Sequence, residues 1–210
     1  MAKISDGFFS ADEKLRIAAA VEEAEKRTSG EIVPMVVGEA FDYPRAEIVG
    51  GGFFALATAS LISWYWWQSS LWAFLPAFLL LYLPCKWLIR YVPALRRCFI
   101  ARQEIDQEVK ERALVAFVEQ GLHHTRDATG ILILVCLFEH RVEVLADRGI
   151  NAVVPHQTWQ EIVDSITAGL HRGQACDALC QAIGRCGDLL QEQFPVMADD
   201  INELPNLILD

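Results

Sequence analysis

The chain has 210 residues, 53% of them hydrophobic, and a formal net charge of −10. Lys and Arg gather beside an apolar stretch and not along a groove, which argues against nucleic acid as a partner. The six cysteines form no dense disulfide scaffold, so we expect reduced thiols in a cytoplasmic domain, and Cys176, Cys180 and Cys186, which lack C-x-x-C spacing, should have a packing role.

The first predicted elements are a helix at 11–27 and a strand at 31–38. Ser10 and Glu13 form the S-x-x-E pattern of a capping box, and the apolar residues that follow have helical spacing. The stretch EIVPMVVG then predicts a short apolar strand. Because Pro34 has no N–H to donate to a ladder, we expect this strand at an edge of the sheet.

Residues 48–85 contain no Asp, Glu, Lys, Arg or His, and they are too many for one crossing of a bilayer core of about 30 Å. They predict two transmembrane helices, at 48–67 and 71–89, joined by a turn at 68–70. Tryptophans gather near the turn, as in an interfacial aromatic belt, and this argues against the alternative of a buried hairpin in a soluble core. The three glycines at 50–52 predict a flexible lead into the bilayer, with close helix packing as the alternative.

Basic residues flank the hairpin, and the turn carries no charge. By the positive-inside rule, both ends of the hairpin lie in the cytoplasm, so we expect a two-pass protein of the cell (inner) membrane. The flanking cations are Arg45, Lys86, Arg90, Arg96, Arg97 and Arg102. The predicted organisation is a discontinuous α/β domain at 1–46 and 90–194, the hairpin at 47–89, and a mobile acidic tail at 195–210.

After the hairpin we predict a helix at 103–122, strands at 130–138 and 141–146 with a turn at Glu139 and His140, and helices at 156–170 and 176–193. The run GILILVCLF is continuously apolar, as expected for a strand buried on both faces. The first two strands flank a helix and should be parallel, whereas the third returns antiparallel. The predicted fold is therefore an α/β sandwich with a small mixed sheet, and the membrane hairpin is inserted in the crossover.

Several motifs resemble the TPM-domain family. They are FFSADEKLRI before the first helix, TSGEI at the first strand, DATGILILV at the second, and LADRGI before a helix with Trp159; the resemblance extends from Phe8 to Phe194. It implies a Rossmann-like α/β sandwich. Family members include a thylakoid protein of photosystem II maintenance and an auxiliary subunit of acetylcholine receptors, and weak phosphatase activity and calcium binding are attributed to the family. Typical members carry a signal peptide and a C-terminal anchor, and this sequence departs from both.

Three acidic residues should gather at one end of the sheet. Glu31 begins the first strand, Asp127 precedes the second, and Asp147 ends the antiparallel third, with Arg148 beside it. Their hard carboxylate oxygens suit Ca²⁺ or Mg²⁺, and Arg148 is a candidate ligand-binding residue. The alternative is that each acid only caps a helix or turn, or is solvated.

The sequence has no G-x-S-x-G elbow, no phosphate-binding P-loop and no G-x-G-x-x-G loop. We therefore expect a non-catalytic auxiliary, assembly or maintenance factor for a membrane protein complex, with a weak divalent-metal-dependent phosphatase as the alternative. The expected partners are the lipid bilayer and either a membrane protein or further copies of this chain.

Overall fold

The computed structural model describes residues 7–66, 71–125, 128–196 and 204–210. The chain forms two compact units: a discontinuous unit, Met1–Ala40 with Asp106–Asp210, and a hairpin unit, Phe41–Ile105. In chain order the elements are α1 (Ala11–Glu25), β1 (Glu31–Val37), α2 (Pro44–Trp66), α3 (Leu71–Tyr91), α4 (Pro93–Cys98), α5 (Arg102–Glu119), β2 (Gly130–Cys136), β3 (Arg141–Ala146), α6 (Arg148–Asn151), α7 (His156–His171), α8 (Ala175–Gln193) and β4 (Ile208–Leu209).

A four-stranded mixed sheet forms the centre of the discontinuous unit, in the order β3-β2-β1-β4. β1 and β2 pair in parallel, and β3 pairs antiparallel with β2. Both pairings confirm the sequence prediction. Every residue of β1 and β2 is buried, as expected for apolar runs with sheet neighbours on both sides and cover on both faces.

The main core lies on one face of this sheet, against α1, α7 and α8. Its side chains include Ile17 and Val21 of α1, Ile133 of β2, Ile162 of α7 and Ile183 of α8. The capping box that starts α1 is present: Ser10 Oγ accepts from the Glu13 N–H at 3.2 Å, and Glu13 Oε2 accepts from the Ser10 N–H at 2.8 Å. The fold class is therefore the predicted α/β sandwich.

The prediction that β1 is an edge strand is wrong, because β4 pairs in parallel with its second half. The carbonyl of Val36 accepts from the Asp210 N–H, so the main-chain groups of even-numbered β1 residues point towards β4. Pro34 lies on this same side, ahead of the short β4. On that side the Ile32 N–H donates to Glu25 Oε1 at 3.1 Å. Proline is thus tolerated because the ladder needs no donor there.

The expectation of a mobile tail is wrong for the last residues of the chain. Ile208 and Leu209 form β4, and the Gly38 N–H donates to the Asp210 carbonyl at 3.2 Å. The side chain of Asp210 also forms an ion pair with Arg112 of α5 at 2.5 Å. These contacts join residues far apart in sequence, which composition alone does not reveal.

In the hairpin unit, α2 and α3 extend a few residues beyond the predicted spans, and the predicted turn at 68–70 lies outside the described residues. The flexible glycine lead is wrong, because Gly50, Gly51 and Gly52 are all helical. A Cβ on Gly51 would lie 2.8 Å from the Lys86 Cα, so this glycine permits close packing of the two helices. Ala55 and Ala59 continue the buried small-residue seam at intervals of four.

The large apolar side chains of α2 and α3 point outward. Leu61, Trp64, Leu79, Leu80 and Leu83 are all exposed, and only 6% of the apolar span of α3 is buried. Both helices are long and apolar enough to span a membrane. A hairpin buried in a soluble core would show the opposite disposition.

Candidate functional site

Glu31 and Asp147 lie at the same end of the sheet, in one row across three strands. Glu31 is in register with Gly130, and the Asp147 N–H donates to the Gly130 carbonyl at 2.9 Å. Because β2 separates β1 from β3, the two acidic positions are two strand spacings apart, about 10 Å. Asp127, the third acid of the predicted site, lies outside the described residues.

Asp147 has a structural role at this end. Its Oδ1 accepts from the Arg148 N–H at 2.6 Å, and Asp147 is the N-cap of the short helix α6. Arg148 is the first residue of that helix, and its side chain is exposed. This is the capping role that the sequence left open as the alternative to metal binding.

Glu31 is 8% exposed and lines a small cleft of about 310 Å³ with Glu22 and Glu25 of α1 and with Lys26, which follows that helix. Lys26 is paired with Glu22 at 2.9 Å. Over the described ranges, no three His, Cys, Asp or Glu side chains are grouped to hold a metal ion. A Ca²⁺ or Mg²⁺ site at Glu31, Asp127 and Asp147 therefore stays a prediction.

Two cysteines of α8, Cys180 and Cys186, have a raised pKa. Burial raises the pKa of Cys186 to about 12, and burial together with Cys176 raises the pKa of Cys180 to about 11. A thiol with a raised pKa is a poor thiolate source at neutral pH. All six cysteines are free, and Cys136, Cys176 and Cys186 are buried.

A larger cleft, of about 350 Å³, lies along β3, and sequence reasoning missed it. We call it the β3-edge cleft; it is lined by Asp106, Val109, Lys110, Arg141, Val142, Glu143, Val144, His156, Trp159, Gln160 and Val163. These residues come from α5, β3 and α7, so only the folded chain brings them together. The one local signal was the alternation of charged and apolar residues in RVEV.

The two walls of the β3-edge cleft differ in chemistry. Val142 and Val144 point to the core face with Trp159 and Val163 of α7, and they make one wall apolar. Alternation along the strand places Arg141 and Glu143 on the other face, where Arg141 Nε donates to Asp106 of α5 at 2.8 Å. Burial raises the pKa of the Glu143 carboxyl, although Lys110 and His156 partly oppose this effect.

Trp159 contributes a polar atom to the apolar wall. Its side chain is 4% exposed, and in the part of the chain that the structure describes, its buried Nε1–H has no hydrogen-bond acceptor. An indole N–H that is removed from water without a partner is costly. This nitrogen is enclosed by the protein, so it is not open to a molecule in the cleft.

The chain is similar to known proteins in family and in fold. Residues 94–189 match the model of the TPM domain. The N-terminal motifs around Phe8 and Glu31, which supply α1 and β1, lie outside the matched range. No curated protein matches the chain.

The solved structure of the BA42 protein from the psychrophilic bacterium Bizionia argentinensis, determined by NMR, has a similar fold. The two chains are 24% identical, the alignment covers 100% of this chain and 99% of the other, and the TM-score is 0.60. At this identity the likeness establishes the fold alone.

Proposed function

For a chain that carries a TPM domain, we propose a role as a non-catalytic, membrane-anchored auxiliary factor that helps to assemble or maintain a membrane protein complex. The observation that carries this proposal is the place of the hairpin. Two membrane-length helices are inserted between β1 and β2, inside the fold, and their large apolar side chains are exposed. Such an insertion fixes the domain at a membrane surface.

The proposed orientation places both ends of the hairpin on the cytoplasmic side of the cell (inner) membrane. Its support is the set of cations after the second helix, which the positive-inside rule assigns to the cytoplasm. Cys98 in α4 is exposed and reports this side. The test compares two chains in intact cells with a membrane-impermeant maleimide. The reagent should label the double variant Ser69→Cys, Cys98→Ser, and it should not label Cys98 in the chain without these substitutions. The reverse labelling pattern would refute the orientation.

The auxiliary role is tested by capture of the full-length tagged chain from native membranes solubilised in mild detergent. We expect one membrane protein complex to co-purify reproducibly and to decrease in amount when the chain is deleted. A matched control is the chain with residues 41–101 replaced by a Gly/Ser linker, which removes the anchor. Recovery of lipid alone, or of further copies of this chain alone, would contradict the role; the second result would instead indicate a homo-oligomeric scaffold.

The competing function is a weak divalent-metal-dependent phosphatase. Its support is the row of Glu31 and Asp147 at one end of the sheet. Asp147→Asn is a clean test because Asn caps a helix about as well as Asp, so the substitution removes the charge and keeps α6. Phosphate release that needs Mg²⁺ or Ca²⁺ and is lost in Asp147→Asn would favour the enzyme, whereas release that the substitution leaves unchanged would exclude this site.

A further inference from the structure

The end of the hairpin at which α2 begins and α3 ends is rich in positive charge. Residues 41–105 contain six Lys and Arg against three Asp and Glu, a formal charge of +3, whereas the whole chain carries −10. All nine of these charged residues lie before position 48 or after position 85. The charge of the hairpin unit is therefore concentrated at one end of the two helices, and its sign is opposite to that of the chain as a whole.

Contacts between α2 and α3 place the cations of these two helices at one level. A Cβ on Gly51 would lie 2.8 Å from the Lys86 Cα, which fixes the register of the two helices. One turn further along α3, Arg90 Nε lies 4.0 Å from Oε1 of Glu47, and Glu47 belongs to the first turn of α2. Arg45 lies in the same turn of α2. Arg45 and Arg90 are therefore neighbours in height, about one helical turn beyond Lys86.

The short helix α4 returns to the same end of the hairpin. A Cβ on Gly50 would lie 2.9 Å from the side chain of Phe99, the residue that follows α4. The guanidinium carbon of Arg96 lies 6.0 Å from the centre of the Tyr43 ring, just before α2. Arg97 is the next residue of α4 and is half-buried. The fold thus adds the cations of α4 to those of α2 and α3, although about fifty residues separate them in sequence from the start of α2.

Four cations from these three elements stay in contact with solvent, and we call them the basic collar: Arg45, Lys86, Arg90 and Arg97. The acids of the same unit offset part of their charge. Glu47 is 6% exposed and is paired with Arg90, Glu104 is half-buried, and Asp42 is exposed. Since the unit has twice as many cations as acids, the basic collar keeps an excess of positive charge.

Exposed aromatic side chains indicate the depth of the basic collar in a bilayer. Trp87 is 65% exposed and Tyr91 is 73% exposed, and Arg90 lies between them on α3. Trp and Tyr side chains of membrane helices gather at the level of the lipid headgroups. Lys86, just ahead of Trp87, is long enough to extend its ammonium to the same level. In a chain anchored by this hairpin, the basic collar therefore lies at the level of the lipid phosphates.

We propose that the basic collar binds the headgroups of anionic phospholipids, so that the chain prefers a negatively charged membrane surface. Each cation near such a surface is attracted by its negative potential, and an Arg guanidinium donates paired hydrogen bonds to a phosphate. Lipid fits this surface better than an acidic protein segment does, because the cations lie beside aromatic side chains at headgroup level. The inference deepens the proposed function by naming the lipid class, and it rests on the membrane anchor of that function.

The test uses the full-length chain, reconstituted in an equal mixture of phosphatidylglycerol and phosphatidylcholine with the same acyl chains. After extraction in mild detergent, native mass spectrometry counts the lipids of each class that stay bound. We expect phosphatidylglycerol to be retained at least about threefold over phosphatidylcholine. Extraction in about 0.5 M salt should reduce this preference, because screening weakens the attraction. Equal retention of the two lipids, or a preference that salt leaves unchanged, would overturn the proposal.

Substitutions test whether the basic collar causes the preference. Arg45→Gln with Arg90→Gln removes two exposed cations and should lower the preference by at least about twofold. The matched control, Arg172→Gln with Arg185→Gln, removes two exposed cations of the discontinuous unit and should keep the preference.

The single variant Arg45→Gln keeps the pair of Arg90 with Glu47, so it tests the basic collar even if the double variant does not fold. We expect it to lower the preference by a smaller amount than the double variant does. A preference that both collar variants leave unchanged would contradict the proposal. An equal decrease in the control would also contradict it, because the net charge of the chain would then select the lipid.

Membrane extraction separates this inference from the anchor on which it rests. Release of the chain from membranes by alkaline carbonate would refute the anchor, and with it the proposed function. A chain that resists carbonate but retains both lipids equally would refute the basic collar alone.

Discussion

The two units of this chain differ in where most of their large apolar side chains lie. In the discontinuous unit, large apolar residues such as Ile133 and Ile162 are inside, in contact with one another. In α2 and α3 of the hairpin unit, small residues such as Gly51, Ala55 and Ala59 are inside together with Ile89, and most large residues, such as Leu80, are outside. The two units are both rich in apolar residues, and they differ in where those residues point.

This difference follows from the solvent that each unit suits. In water, burial of apolar surface is the main driving force of folding, at about 25 cal/mol per Å². Lipid tails are as apolar as leucine, so between membrane helices that force is absent and close contact of backbones takes its place. Small residues at the helix contact therefore stabilise a membrane hairpin, whereas large buried apolar residues stabilise a soluble core.

The largest expected effect tests whether the discontinuous unit is one folding unit. A chain without residues 1–40 loses β1, which lies between β2 and β4, and should show no cooperative unfolding. A chain in which residues 41–101 are replaced by a Gly/Ser linker keeps both segments and should be soluble and folded without detergent. Circular dichroism and thermal melting measure both outcomes. An insoluble linker variant would contradict the prediction that the two segments form one folding unit.

The next effect compares two leucine-sized side chains in the two units. Ile133→Ala removes a side chain that is 0% exposed in the core and should lower the free energy of unfolding by about 2–5 kcal/mol. Leu80→Ala removes one that is 76% exposed on α3, and the change should stay within about 0.5 kcal/mol. Chemical denaturation of the full chain in micelles gives both values. Equal losses would mean that α3 packs its outer face against protein.

A smaller effect tests the seam of the hairpin with adjacent glycines. A Cβ at Gly51 would lie 2.8 Å from the Lys86 Cα, whereas a Cβ at Gly52 meets nothing within 4 Å. Gly51→Ala should therefore destabilise the helix pair by about 1–3 kcal/mol. Gly52→Ala should be neutral or stabilising by up to about 1 kcal/mol, because alanine favours helix. Fluorescence energy transfer between the two helices during detergent titration measures both, and matching behaviour of the two variants would exclude close packing at Gly51.

The smallest effect concerns Glu143, the half-buried acid of the β3-edge cleft. Burial raises its pKa above the usual 4.5, so the folded chain holds this proton more tightly than the unfolded chain does. The tighter proton binding of the Glu143 carboxyl in the folded chain contributes fully to stability below about pH 4.5. This contribution is lost as the pH rises through the folded-state pKa of Glu143. Relative to the native chain, Glu143→Gln should gain stability as the pH rises from 4.5 and then level off. A constant difference in urea midpoint across this range would contradict the burial of the charge.

Much of the fold could be predicted because its signals are local. The capping box at Ser10, the continuous apolar run of β2 and the uncharged stretch at 48–85 each report a structure within one element or its neighbours. The parallel pairing of β1 with β2 followed from connection rules that apply to any such order. The placement of Glu31 and Asp147 at one end of the sheet followed in the same way.

Other features could not be predicted because they depend on partners distant in sequence. The second neighbour of β1 is a two-residue strand at the far end of the chain, and its apolar pair is too short to be recognised alone. The capping role of Asp147 depends on α6, a helix of four residues that carries no periodic signal. The β3-edge cleft needs α5 and α7 on either side of one strand.

The sequence by itself therefore determined the longer elements, the membrane-length hairpin and the pairing of β1, β2 and β3, since these depend on periodicity, length and chain order. The tertiary structure decided which glycine lies against a helix backbone, which edge of β1 is closed by β4, and which acid is half-buried in the β3-edge cleft. Those properties depend on complementary surfaces that meet only when distant segments pack, and the free energy of that packing is not encoded in any single stretch.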